Sequence, residues 1–319
     1  MTQLSRFAFS IGAATALLTG CGGSRSSFEP PGTAPANAIR SHAGRGRASI
    51  AVGAFARSLL YVNLNSVEVY WYPRLKALGS LGVAGYLCSD RFGHVFVATQ
   101  PGMGEVWVYN HGTSQPFAIL HDPSVVGGCS VDPSTENVAD AGYIPGSVTI
   151  WPYSRRRGWG LAQDYTIPNM GVSRYCAYDP QGNLFIDGLK NSGPFGLEEL
   201  PKGSSTFITI TLDQKIGDPG SLQWTGKYLV VEDATNLYEG PAVIYRFVIS
   251  GRSGHKVSST TLTDSIANAQ FLVHGSTVIG PARQNSTPGL GFWNFPSGGA
   301  PIRFIPTYPN PSGEALSLK

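Results

Sequence analysis

Asp140, Asp187 and Glu232 each end a stretch of apolar sequence at the same point of a repeating frame. Carboxylates that recur in this way around a ring can bond the hydroxyls of a polyol, or ligate a hard cation such as calcium, which takes about six to eight oxygens. Asn63 holds the matching place earlier in the chain, while Ala98 and Gly280 hold it in two further repeats, so four of the six positions can ligate. Arg174 and Tyr175 lie just ahead of the Asp187 stretch. An arginine among carboxylates makes a site for a polar, hydroxyl-bearing ligand. The expected ligand-binding set is therefore Asn63, Asp140, Asp187, Glu232, Arg174 and Tyr175, with Asp140, Asp187 and Glu232 as its metal-binding subset and calcium as the cation. Tyr86, Tyr143, Tyr238 and Gln270 add aromatic and amide groups to the same rim. A structural role competes, because an Asp in such a place also bonds the backbone of the adjacent loop.

Other residue types with chemical potential lack a pattern. Cys88, Cys129 and Cys176 fall on corresponding strands of successive repeats, where packing as small hydrophobes is the expected role. An oxidising compartment permits a disulfide, but equivalent positions on neighbouring repeats need not bring two Cα atoms within bonding range. The six histidines (His42, His94, His111, His121, His255, His274) show no paired spacing. No G-x-S-x-G, H-E-x-x-H, C-x-x-C or phosphate-cradling glycine loop is present. No catalytic residue is assigned.

These residues must be positioned by a fold rich in strands. Forty glycines and 23 prolines imply many tight turns, and 11% aromatic with only 13% charged residues argues against long solvated helices. Three segments share one frame: Cys88 to Val97, Cys129 to Asp140 and Cys176 to Asp187, each a strand, an Asp-initiated turn with Gly or Asn, and a second strand. A column of aromatic or apolar residues follows, Tyr72, Tyr109, Trp151, Leu200, Phe247 and Phe295, spaced 37, 42, 49, 47 and 48 residues apart. After each comes another β-like run: 77–83, 116–120, 164–168, 207–212, 256–262 and 302–308. Six repeats of four strands predict an all-β, six-bladed β-propeller with four-stranded antiparallel blades. Blade boundaries fall near residues 84, 125, 171, 215 and 265. The first blade lacks a clear innermost strand, which Pro311–Leu318 supplies from the C-terminus; Ser49–Phe55 competes for the slot.

The frame resembles the NHL-repeat and streptogramin-lyase-like propellers, whose blades read roughly as apolar, Asp, two residues, Gly-Asn, three apolar residues, Asp. Asp179 to Asp187 fits closely, and Asp90 and Asp132 fit in part. The resemblance covers residues 49–319. It implies a ring fold that hosts lyases, lactonases, dehydrogenases and binding platforms alike. Streptogramin lyases use a histidine with acidic metal ligands, and none of the histidines here matches that motif. The related gluconolactonases collect acidic and Asn ligands for a divalent cation near the axis, which is what the column at Asn63, Asp140, Asp187 and Glu232 resembles.

The N-terminus reads as an address. Arg6 precedes an apolar stretch, residues 7–18, too short for a permanent span but suited to an export signal. It ends in Leu18-Thr19-Gly20-Cys21, which resembles the bacterial lipobox, with Cys21 the acylated residue. Residues 1–20 form the signal, 21–48 an acylated cysteine and a Gly/Ser/Pro/Ala/Arg tether, and 49–319 the propeller. Gly22 does not match the aspartate of an inner-membrane retention signal, so the outer membrane is expected where the host has two. Five of 23 basic residues and one of 20 acids lie before residue 49, leaving 18 basic against 19 acidic groups. That balance argues against a nucleic-acid partner, which needs clustered Lys and Arg. The expectation is a monomeric, membrane-tethered binding module for a glycan, peptide, small polar molecule or envelope protein. A metal-assisted lyase or hydrolase is the alternative, and a structural envelope protein a further one.

Overall fold

A computed structural model describes residues 58–99, 104–122, 126–235, 241–266 and 270–318. The signal, the tether, Cys21, Tyr238 and the competing segment Ser49–Phe55 lie outside them. Within them the protein is all-β, and its strands make the six blades of a propeller.

Blade 1 runs from the inner strand Gly313–Leu318 outward through Ser58–Asn63, Val67–Trp71 and Lys76–Ser80. The C-terminal strand therefore closes the ring, with Leu318 opposite Ser58 and Gly313 opposite Asn63. In chain order the other inner strands are Gly85–Ser89, Val126–Val131, Met170–Tyr178, Pro219–Thr225 and Leu272–His274. Their second strands are Val95–Thr99, Val138–Gly142, Leu184–Lys190, Tyr228–Asp233 and Thr277–Gln284. The run 207–212 does not form one outer strand. Ile208–Thr209 pairs within blade 4, whereas Thr211–Leu212 pairs in parallel with Ser253–Gly254 of blade 5. Ile210 between them is buried in the core shared by those blades, so the chain crosses from one sheet to the next at that residue. A short hairpin, Tyr153–Ser154 with Gly158–Trp159, extends blade 3 and carries Arg155, Arg156 and Arg157, all exposed, at its tip.

The sequence pattern follows from the ring. A second strand is covered on both faces by neighbouring blades, so Val95-Phe96-Val97-Ala98-Thr99 is buried at every residue. An outer strand is covered on one face, and Pro116–His121 alternates accordingly. Each core lies between two blades: Leu59, Val67 and Ala315 of blade 1 meet Leu87 and Val95 of blade 2. Leu60, Val62 and Leu316 meet Ile279 and Phe292 of blade 6, which completes the circle. Burying each such side chain contributes about 1.5–3 kcal/mol.

The Asp-initiated turns form as the sequence predicts. Asp90 Oδ1 accepts from the amides of Phe92 and His94, and Asp179 Oδ1 from those of Gln181 and Asn183. Gly93 and Gly182 supply the positive φ, 86° and 90°.

The expectation for the cysteines is corrected. Cys88 and Cys129 form a disulfide between the inner strands of blades 2 and 3, with Cα atoms 5.6 Å apart. Inner strands converge toward the axis, and there Cys88, opposite Phe96, and Cys129, opposite Asp140, come within bonding range although their registers differ. Cys176, on the inner strand of blade 4, is free and buried.

Candidate functional site

The acidic column has a common local cause. Asp140 and Asp187 are fully buried and Glu232 nearly so. Each uses one oxygen to accept a backbone N–H from the inner strand of its own blade: Gly127 to Asp140, Tyr175 to Asp187 and Ser221 to Glu232, all at 3.0 Å. In these three blades the pairing of inner with second strand slips at that point, between Val126 and Cys129, Ser173 and Cys176, and Pro219 and Leu222. Blades 1, 2 and 6 pair without a slip and hold Asn63, Ala98 and Gly280 instead. A bulge leaves an amide without its ladder partner, and the carboxylate supplies the acceptor. Gly220 allows this approach, since a Cβ there would lie 2.7 Å from a Glu232 carboxylate oxygen.

Asp140 Oδ2 and Asp187 Oδ2 have no hydrogen-bond donor. Burial pushes both carboxyls well above the usual carboxylate range. For Asp140 the charge of Asp122 adds to the effect and the Gly127 amide opposes it. For Asp187 the Tyr175 amide and Arg174 oppose it, while Glu232 and Asp218 add to it. Among the described residues no three His, Cys, Asp or Glu side chains are grouped to hold a metal ion.

The expected ligand-binding residues divide. Asp187, Glu232, Arg174 and Tyr175 share one electrostatic neighbourhood, in which Tyr175 also feels Tyr86 from blade 2. The Tyr86 and Tyr175 rings meet edge to face with centroids 5.6 Å apart, across Gly128 of blade 3, where a Cβ would strike the Tyr175 ring. Arg174 lies over the ring of Tyr143 at 5.3 Å. Asp140 couples instead to Asp122, and the Asn63 amide donates to Ser312 Oγ at 2.8 Å.

The axis holds a cavity of about 230 Å³ to which all six inner strands contribute. In blades 1 and 6 its wall comes from Glu314, Ala315 and Leu272, close to the Asn63 and Gly280 positions of the column, and in blades 2 to 5 from the strand halves nearer the first-to-second-strand hairpins, as Cys176–Tyr178 shows just ahead of the turn at Asp179. In blades 2 to 5 the rim expected from the sequence lies toward the other ends of the same strands. Two amide side chains stitch the wall. Gln223 of blade 5 exchanges hydrogen bonds with the backbone of Val273 in blade 6, at 2.8 and 3.0 Å. Gln270 reaches from blade 6 past Gly313 to pair with both backbone groups of Leu87 in blade 2.

Glu314 also lines the cavity, and sequence reasoning missed it. The carboxyl is buried, neither oxygen has a hydrogen-bond donor, and burial followed by the charge of Glu232 raises its pKa well above normal. The available signal was an acid inside Gly313-Glu314-Ala315-Leu316-Ser317-Leu318, a strand that must be covered on both faces once it closes the ring.

No protein-family profile and no curated protein matches this chain. Solved structures do. A chain of the nidogen/laminin complex superposes with a TM-score of 0.62 at 12% identity, covering 82% of this chain and 98% of that one. TolB from Acinetobacter baumannii superposes with a TM-score of 0.59 at 12% identity, covering 84% of this chain and 68% of its own. At that identity the likeness concerns the fold, and the chain is a six-bladed β-propeller.

Proposed function

We propose that the protein is a membrane-tethered, extracytoplasmic binding module that receives a small polar molecule in its axial cavity. One observation carries the reading: six strands distant in sequence wall a single cavity that contains a buried carboxyl without a protein partner. Stability alone would favour an apolar side chain there. The placement of the repeat among NHL-like propellers rests on the Asp-initiated hairpins, and the tether rests on the lipobox-like Leu18-Thr19-Gly20-Cys21.

Two experiments test this. In a thermal-shift panel of small amines, amino acids, sugars and carboxylates, at least one compound should raise Tm in a concentration-dependent way. Val131→Trp, which fills the cavity from a half-buried wall position, should abolish the shift. A folded protein whose Tm no member of the panel moves at millimolar concentration would count against the reading. Separately, Cys21→Ser should move the protein out of the membrane fraction, since a serine hydroxyl does not replace the thiol in lipid transfer. Unchanged membrane recovery would remove the tether.

A further inference from the structure

Glu314 occupies a tier of the ring that carries no other charged residue. It pairs with Val62, one residue before Asn63 of the column. The corresponding inner-strand residues are Leu87 opposite Val97, Ser130 opposite Ala139, Cys176 opposite Ile186, Leu222 opposite Val231 and Leu272 opposite Ile279. Leu87, Cys176 and Leu222 also line the cavity. Glu314 is only 1% exposed, and both its oxygens lack a donor. The charged group that acts on it is another acid, Glu232, while Arg174 acts on Asp187, Asp218 and Tyr175. A buried carboxylate needs a positive partner, and among the described residues none donates a hydrogen bond to Glu314.

The chemistry of the wall selects among possible partners. Calcium wants a shell of about six to eight oxygens, and the described residues assemble no group of three acidic, His or Cys ligands. An ammonium is satisfied by few acceptors and carries a carbon body that apolar walls can hold. Leu87, Leu222, Phe271 and the Trp224 ring provide such walls, and an aromatic face attracts a cation further. We propose that the axial cavity takes a small organic cation, an ammonium on an apolar body, with Glu314 as its counter-ion. The proposal rests on the reading of this cavity as a ligand site.

The test is titration calorimetry on the purified full chain with benzylammonium chloride, benzyl alcohol and calcium chloride. Benzylammonium should bind once per chain, about tenfold or more tighter than benzyl alcohol, because the two share a body and differ in charge. Glu314→Gln, which keeps the shape, should weaken benzylammonium by about tenfold or more and leave benzyl alcohol unchanged. The wild-type contrast stands even if that variant folds poorly. Equal binding of the two ring compounds, or calcium that competes with benzylammonium, overturns the cation assignment while the cavity remains a binding site. Silence from benzylammonium together with a Val131→Trp-sensitive hit from a neutral compound does the same. Silence from all three compounds and from the whole thermal-shift panel overturns both readings.

Discussion

Asp187 holds the Tyr175 amide with one oxygen and has no hydrogen-bond donor for the other. The acceptor and the charge can therefore be separated. Asp187→Asn keeps an oxygen for the bulge and removes the buried charge, so stability should hold or rise. Asp187→Ala leaves a buried N–H unpaired and should cost about 1–3 kcal/mol, read as a lower urea midpoint with unchanged slope. Equal losses in the two variants would show that the charge, rather than the acceptor, holds the blade. The column of acids was legible in the sequence because the period put Asp140, Asp187 and Glu232 at one level. Their use was not, because it depends on a register slip in the facing strand, which composition does not announce. Glu314 escaped notice for a related reason. An acid on a terminal strand reads as solvent-facing until the ring closes over it.

Between elements, the axis is held by cross-links of three chemical kinds: a disulfide, amide side chains paired to backbone, and shared apolar cores. The disulfide joins strands 41 residues apart in sequence. A cross-link of this kind restrains the unfolded chain, so Cys88→Ser with Cys129→Ser should lower stability by about 2–4 kcal/mol. Chemical denaturation of the double variant checks this, and a loss below about 1 kcal/mol would mean that the axis is already held by its other contacts. The repeat frame told which strand positions are equivalent. It carried no information on how close neighbouring inner strands come at the axis, and packing was therefore the expected role of Cys88 and Cys129. The same limit applies to Gln223 and Gln270, whose bonds to Val273 and Leu87 span blades.

For the whole molecule, the number of blades and the strand that closes them were legible, because a ring fixes the phase of every repeat and leaves one gap for the C-terminal strand to fill. The electrostatic consequence of closure is a set of buried carboxyls without cationic partners at hydrogen-bond distance. Asp140, Asp187 and Glu314 all have pKa values pushed up by burial, and Glu198, Glu199 and Asp218 are raised less strongly by the same cause. A carboxyl whose folded pKa exceeds its unfolded value binds more protons in the folded chain between those two values. Stability therefore falls as pH rises through that interval. Unfolded carboxyls titrate near about 4, so this contribution is fully present below that pH and is lost progressively above it. Calorimetric Tm should be higher at about pH 5 than at about pH 8, the reverse of a protein held by salt-bridged carboxylates. The combined variant Asp140→Asn, Asp187→Asn, Glu314→Gln removes the three strongest contributors while preserving their shapes, and its Tm should vary less over the same range. A wild-type Tm that climbs toward pH 8 would mean that these carboxyls are ionised and paired in solution, and the case for Glu314 as an unpartnered acid would go with it.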